Sequence, residues 1–177
     1  LTQFDPWQNY LHQEELEEKR ESISLKNIKV LLNERGLLPE DVKLEKINRD
    51  GLFFKDGNGS TIHLHQLSDG YRSVLSMTME LIRQLIRVYG EENVFEGIEK
   101  GGSTIDLPGV VLIDEVDAHL HPTWQTEIGQ WFTRYFPKLQ FIVTTHSPLI
   151  CRACGDDGKI IQLPAQGSGK REMEITG

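Results

Sequence analysis

The sequence predicts an α/β fold in which helices flank a parallel sheet and a small antiparallel β meander comes first. Three observations carry this reading. Residues 110–113 are a short, continuous apolar run, the makeup of a parallel strand covered on both faces, and residues 139–144 read as a second buried strand. Between them Trp124, Ile128, Trp131, Phe132 and Tyr135 recur at helical spacing over residues 123–136, and strand, helix, strand implies a right-handed crossover. Ahead of both, the strand-like stretches 42–47, 52–55 and 60–66 are separated by Asp50-Gly51 and by Asp56-Gly57-Asn58-Gly59, both hairpin-turn signals.

The remaining elements follow in order. Residues 7–35 carry Trp7, Tyr10, Leu11, Leu16, Ile23, Leu25, Ile28, Leu31 and Leu32 at loose helical intervals, with Gly36 and Pro39 closing the segment. The charged run from Glu14 to Glu21 within it reads as a solvated helix face. Tyr71, Val74, Leu75, Thr78, Leu81, Ile82, Leu85, Ile86 and Tyr89 obey the i, i+3, i+4, i+7 rule for one long amphipathic helix. Residues 90–109 are rich in glycine and charge and predict a loop, and residues 160–163 a further strand. The expected organisation is a helical segment over 1–41, the meander over 42–66, a main lobe over 67–163 and a tail over 164–177.

A chain of 177 residues suits one domain, and the composition is that of an ordinary globular protein. Acidic residues outnumber basic ones, 27 to 19, for a net charge of −8. Charge alone therefore does not draw this chain to nucleic acid; such contact needs a local patch, another segment or a partner. No apolar run approaches the roughly 20 residues that span a bilayer, and the start, Leu1-Thr2-Gln3-Phe4-Asp5, has no signal-peptide core. That start also lacks Met, so the encoded protein is expected to begin elsewhere. Two cysteines without a secretion signal fit the reducing cytoplasm.

Chemistry concentrates in three runs. The apolar residues 110–113 end in Asp114-Glu115, which puts two carboxylates at the C-terminal edge of a parallel sheet, where open α/β folds bind ligands. An Asp in that place can hold Mg²⁺ through water, and the neighbouring Glu115 can act as general base on an attacking water. About thirty residues on, Thr144-Thr145-His146-Ser147-Pro148 ends the second strand, so His146 is expected near Glu115, able to hydrogen-bond a phosphate or the attacking water. Leu67-Ser68-Asp69-Gly70-Tyr71-Arg72-Ser73 opens the long helix; Ser68 is a natural N-cap, Gly70 admits a close approach, and the helix dipole favours an anion. His119 with His121 lacks a third ligand for a metal, and His63 with His65 shares one strand face without one. Cys151-Arg152-Ala153-Cys154 is a lone CxxC whose small residues are expected to pack on a helix.

In these three runs the chain resembles the ATP-binding-cassette (ABC) superfamily of P-loop ATPases over roughly residues 60–163. Leu-Ser-Asp-Gly-Tyr-Arg-Ser is similar to its signature motif, Val-Val-Leu-Ile-Asp-Glu to Walker B, and Thr-Thr-His-Ser-Pro to its switch-histidine loop. The resemblance implies the C-terminal part of an ABC-type head that binds ATP and Mg²⁺ and dimerises around two nucleotides, with higher oligomers open. It implies Asp114 as metal residue, Glu115 and His146 as catalytic residues, and Ser68, Asp69 and Gly70 reaching the γ-phosphate held by the opposite subunit. Asp117 and His119 would lie in the dimer-facing loop after Walker B.

The run Val116-Asp117-Ala118-His119-Leu120-His121-Pro122 departs from the Pro-Thr-Ser-Ala-Leu-Asp-like run of transporter ATPases and resembles soluble RecF-like and OLD-like ATPases. Within those, His-Leu-His-Pro-Thr-Trp and Phe-Ile-Val-Thr-Thr-His-Ser-Pro-Leu-Ile look most like antiphage defence ATPases of the Septu type, some attached to retrons, which act with a separate HNH nuclease. A RecF- or SMC-like DNA-repair ATPase and a nucleotide-gated scaffold without turnover are the alternatives. The family's Gly-x-x-x-x-Gly-Lys-Ser/Thr phosphate loop is not in this sequence: at Gly167-Ser168-Gly169-Lys170-Arg171, Pro164 and Arg171 stand where Gly and Ser/Thr belong. The expectation is that this piece alone does not hydrolyse ATP, that its parent does, and that the loop lies upstream of residue 1 or in a segment missing before residue 60.

Overall fold

The elements follow from where apolar side chains can be buried together. The computed structural model describes residues 23–34, 38, 42–48, 51–118, 120–154, 158–164 and 173–175. In chain order these form α1 (Ile23–Glu34), β1 (Lys43–Asn48), β2 (Gly51–Lys55), β3 (Thr61–His63), a 3₁₀ turn (Leu64–Gln66), α2 (Asp69–Tyr89), α3 (Glu91–Glu99), β4 (Gly109–Ile113), α4 (Pro122–Tyr135), β5 (Leu139–Val143), α5 (Pro148–Arg152), β6 (Ile160–Gln162) and β7 (Met173–Ile175). The helix expected over residues 7–35 is present as α1; its earlier part lies outside the described residues.

Strands β1, β2 and β3 form the antiparallel meander in that order, with a register shift between Leu44 and Lys46. Leu44, Leu52 and Phe54 turn inward from it and are buried. Asn33 fastens α1 to the meander by accepting from the Leu44 amide at 2.6 Å and donating to the Leu44 carbonyl at 2.9 Å. The third strand stops sooner than expected. After His63 the chain tightens into the 3₁₀ turn, where the His63 ring accepts from the His65 amide at 3.3 Å and the Gln66 side chain returns to the His63 amide at 2.7 Å. His63 and His65 therefore do not share a strand face; their rings stack with centroids 4.7 Å apart.

Helix α2 buries Val74, Leu75, Thr78, Met79, Ile82 and Leu85, the stripe its periodicity predicts. At its end Gly90 has φ +82°, a conformation that favours glycine, and its amide donates to the Ile86 carbonyl at 2.8 Å. The loop expected over 90–109 is corrected here: Gly90 also opens α3, whose Val94, Phe95 and Ile98 are buried. Glu91 and Glu92 favour its positive end, and Asn27 of α1 donates to Glu99 at 2.8 Å.

Strands β4 and β5 pair in parallel with Val111 opposite Phe141 and Leu112 opposite Ile142. Helix α4 lies between them in sequence, and its Phe132 stacks on Phe141 with centroids 5.0 Å apart. One expectation fails. These strands are not covered on both faces in this chain: Val110 is 61% exposed, Leu112 74% and Ile142 51%. The run 110–113 has no polar residue and reads the same whether one face or two are covered, whereas Gln140 in β5 is a polar residue on an exposed position. The strand expected over 160–163 is present as β6, but it pairs antiparallel with β7, inside the expected tail, and does not join the parallel sheet.

One apolar cluster joins α1, the meander, α2, α3, α4 and the start of β5, with Phe54, Phe95 and Phe136 fully enclosed. Phe54→Ala or Phe95→Ala is expected to cost about 3–5 kcal/mol in urea unfolding. Leu112→Ser, on the open sheet face, is expected to stay within about 0.5 kcal/mol of the unsubstituted chain. A Leu112→Ser cost as large as that of Phe95→Ala would mean that both faces of β4 are packed in solution.

Candidate functional site

The parallel ladder does not stop where β4 and β5 end. The Thr144 amide donates to the Ile113 carbonyl at 3.0 Å, and the Val116 amide donates to the Thr144 carbonyl at 3.0 Å. Between these two bonds lie Asp114 and Glu115, both exposed. The Thr144 hydroxyl serves both at once: it donates to Asp114 Oδ1 and accepts from the Glu115 amide at 2.8 Å. Glu115 has φ +47°, the left-handed region that a side chain enters only when its surroundings hold it there, at a cost of order 1–3 kcal/mol. The chain turns back at once, with the Ala118 amide donating to the Glu115 carbonyl at 2.8 Å.

A second threonine repeats the arrangement one step further on. Thr145 donates to Asp117 Oδ1 and accepts from the Ser147 amide at 2.9 Å. The Thr145 bond holds the Asp117 carboxyl below its ordinary range; partial burial opposes it, while the Asp117 and His146 backbone and the charge of His146 add to the lowering. Asp114 and Glu115 are thus tied to Thr144, and Asp117 to Thr145 with His146 beside it, at the rim where β4 and β5 end. His119 lies outside the described residues. His121 caps α4, its Nδ1 accepting from the Thr123 amide at 3.4 Å, and Pro122 follows at the first helical position.

The third run sits at the start of α2. Ser68 is the exposed N-cap and its hydroxyl makes no capping bond to the helix. Asp69 pairs with Arg72, which also donates to the His65 carbonyl at 3.2 Å. Gly70 is buried, and its packing differs from what its flexibility alone suggested. A Cβ there would stand 2.7 Å from Trp124 Cδ1 and 3.7 Å from the His121 amide nitrogen. The missing side chain leaves room for α4, a reason that no local pattern revealed. Tyr71 meets Trp124 edge-on at 5.1 Å, and burial with the Glu127 carboxylate pushes its phenol up. Among the described residues this run has no hydrogen bond to the acid pair; α4 is what connects them.

Sequence reasoning assigned no role to Thr144, Thr145 or Trp124. The two threonines lay inside a quoted motif, but a hydroxyl's partner thirty residues away leaves no local trace. Of the CxxC, Cys151 lies on α5 and Cys154 just beyond its end; both are half-buried free thiols, and a Cβ on Gly158 would collide with Cys154 Sγ. No group of three or more His, Cys, Asp or Glu side chains that could hold a metal exists among the described residues. The donor set here is two adjacent carboxylates, which suits Mg²⁺: it keeps several waters and is held by one or two carboxylates plus substrate phosphates.

Residues 1–152 match the family model described as AAA domain, putative AbiEii toxin, Type IV TA system. The chain belongs to that family. It is 35% identical over 113 residues to the Septu protein PtuA of Bacillus mycoides (strain KBAB4), an alignment covering 64% of this chain and 14% of that protein. It is 39% identical over 94 residues to the Retron Vc95 probable ATPase of Vibrio cholerae serotype O1 biovar El Tor, covering 52% and 16%. A second Septu protein PtuA, from Bacillus thuringiensis, is 30% identical over 134 residues, covering 75% and 32%. The chain therefore spans between about a seventh and a third of these relatives. A solved structure described as "Structural biochemistry of ATP-driven dimerization and DNA stimulated activation of SMC ATPases" shares the fold at a TM-score of 0.52 and 16% identity, covering 85% of this chain and 84% of that one. The chain thus shares its fold with an SMC ATPase structure and is similar in sequence to part of Septu and retron proteins.

Two outcomes check this geometry. Gly70→Ala is expected to destabilise by about 1–3 kcal/mol in urea unfolding, because Trp124 must move; an unchanged midpoint would remove α4 from the account. For Asp117, a lowered carboxyl adds stability above its ordinary pKa, and that stability is lost as pH falls through the lowered value. Thr145→Val removes the largest cause, so a carboxyl ¹³C titration should show Asp117 protonating at higher pH, with acid unfolding also starting higher. An Asp117 titration that does not move would mean that the Thr145 bond is not made.

Proposed function

We propose that this chain carries the hydrolytic half of an ATPase head, and that the complete protein binds ATP with Mg²⁺ and hydrolyses it. The observation that carries the reading is the Thr144 hydroxyl, which ties the acid pair to the loop bearing His146. When bound, Mg²⁺ supplies charge neutralisation of the phosphates. Asp114, one oxygen of which Thr144 keeps in place, would hold it. Glu115, held off the strand direction by its positive φ, takes the proton of the attacking water. His146 hydrogen-bonds the γ-phosphate or that water. Ser68, Asp69 and Gly70 present the start of α2 to a nucleotide on the opposite subunit of a homodimer, and Asp117 and His119 face that subunit. The phosphate-binding loop comes from residues outside this sequence.

The biological reading is antiphage defence in the cytoplasm, with an HNH-type nuclease as the effector that nucleotide state controls. Similarity to Septu and retron proteins supports it. No helix among the described residues is long and apolar enough to cross a membrane. In the complete protein, Glu115→Gln is expected to lower ATP turnover about 100-fold or more while ATP binding persists. Turnover that survives this substitution removes Glu115 as the base. An unsubstituted protein that binds ATP without hydrolysing it would make the head a nucleotide-gated scaffold.

A further inference from the structure

We propose that Gln125 is a positioning residue that couples the start of α2 to the loop carrying Glu115 and Asp117. What that coupling controls rests on the ATPase reading above; the geometry does not.

Five hydrogen bonds close a ring around this side chain. Thr145 donates to Asp117 Oδ1, and the Ser147 amide donates to Thr145 Oγ1 at 2.9 Å. The Ser147 hydroxyl donates to Gln125 Oε1 at 2.6 Å, and Gln125 Nε2 donates to the Leu120 carbonyl at 2.9 Å. The Leu120 amide then donates to the Asp117 carbonyl at 3.0 Å, which completes the circuit. Gln125 thus uses its acceptor on the switch loop and one donor on the loop after the acid pair. Few other side chains could do this, since the amide alone offers a strong acceptor and a strong donor on one rigid plane.

The ring differs from ordinary helix capping. Ser147 is only 8% exposed and already caps α5 by accepting from the Leu149 amide at 3.2 Å, so its proton is free for Gln125. Of the other buried polar residues described, Thr78 bonds within its own helix and Asn27 ties α1 to α3. Ser147 is the one committed to the rim. The residue beside Gln125 is Trp124, whose indole fills the space left by Gly70. Neighbours on a helix point about 100° apart, so one turn of α4 holds the acid-bearing loop with one side chain and the signature-like run with the next. A shift at either end must pass through that turn or break the ring.

The test uses the complete protein with ATP and two variants. Gln125→Leu removes both bonds at similar volume; Gln125→Glu keeps the acceptor for Ser147 and loses the donor to Leu120. The proposal expects Gln125→Leu to lower kcat by about 5-fold to 150-fold, the range of typical coupling free energies. KM for ATP should change less than about 2-fold, and the Hill coefficient for ATP should fall toward one. Gln125→Glu should lie between Gln125→Leu and the unsubstituted protein. Amide hydrogen exchange should rise together over residues 67–75 and 114–121 in Gln125→Leu, and over 114–121 alone in Gln125→Glu. Unchanged kcat and Hill coefficient in a folded Gln125→Leu protein overturn the proposal. So does an exchange increase confined to the neighbourhood of residue 125. If Gln125→Leu does not fold, the Gln125→Glu pattern decides. If the unsubstituted protein hydrolyses no ATP, the ATPase reading fails by itself, and the paired exchange response still decides the coupling.

Discussion

The geometry of the acid pair depends on one threonine that continues a parallel ladder past the end of its strands. Strands β4 and β5 themselves end at Ile113 and Val143. Thr144 carries the pairing further by using its amide, side chain and carbonyl on four successive positions of the neighbouring segment, 113 to 116. A serine would offer the same hydrogen bonds with a freer χ1, whereas branching at Cβ restricts the rotamer that reaches Asp114. The strain at Glu115 is then intelligible: the chain must leave the sheet direction within one residue while its amide stays fixed to Thr144.

The second chemistry-bearing end, at α2, is organised by packing rather than by hydrogen bonds. Gly70 and Trp124 form a steric pair in which a missing methyl group sets the approach of two helices. Aromatic contact continues along α4, from Trp124 to Trp131 at 6.3 Å and from Trp131 to Tyr135 at 5.2 Å, with Phe132 stacked on Phe141 of β5. Helix α4 therefore touches the signature-like run, the loop after the acid pair and the second strand. Such an element can move as a body only if all three move.

The legible parts were those whose signal is local. The stripe of α2 is written at helical spacing from Tyr71 to Tyr89, and the acids stand at the end of an apolar run that must be a strand. The parts that misled are those where a local pattern has two outcomes. Residues 90–109 look loop-like because glycine and charge dominate, yet Val94, Phe95 and Ile98 suffice to dock one short helix. The meander's last strand gives way to a 3₁₀ turn because side-chain bonds from His63 and Gln66 compete with the ladder. Gly70 was read by its freedom, but its reason lies in a tryptophan fifty-four residues away. Gln125 was silent, because both of its partners are fixed by the fold.

The charge of the rim imposes one further condition. No Lys or Arg occurs between Lys100 and Arg134, or between Lys138 and Arg152. The two segments that build the rim thus bring Asp114, Glu115 and Asp117 together without a permanent cation of their own. A triphosphate placed against three carboxylates meets repulsion, and two unit charges at 4 Å interact by about 4 kcal/mol at an effective dielectric of 20. Phosphate binding at this edge consequently needs a divalent cation on the acid pair and basic groups from outside these segments. The helix dipole of a partner's α2 supplies only a partial charge. A phosphate-binding loop with its lysine, together with Mg²⁺, would meet both needs; under the proposed function the rim is therefore one half of a site whose electrostatics balance only when the other half is present.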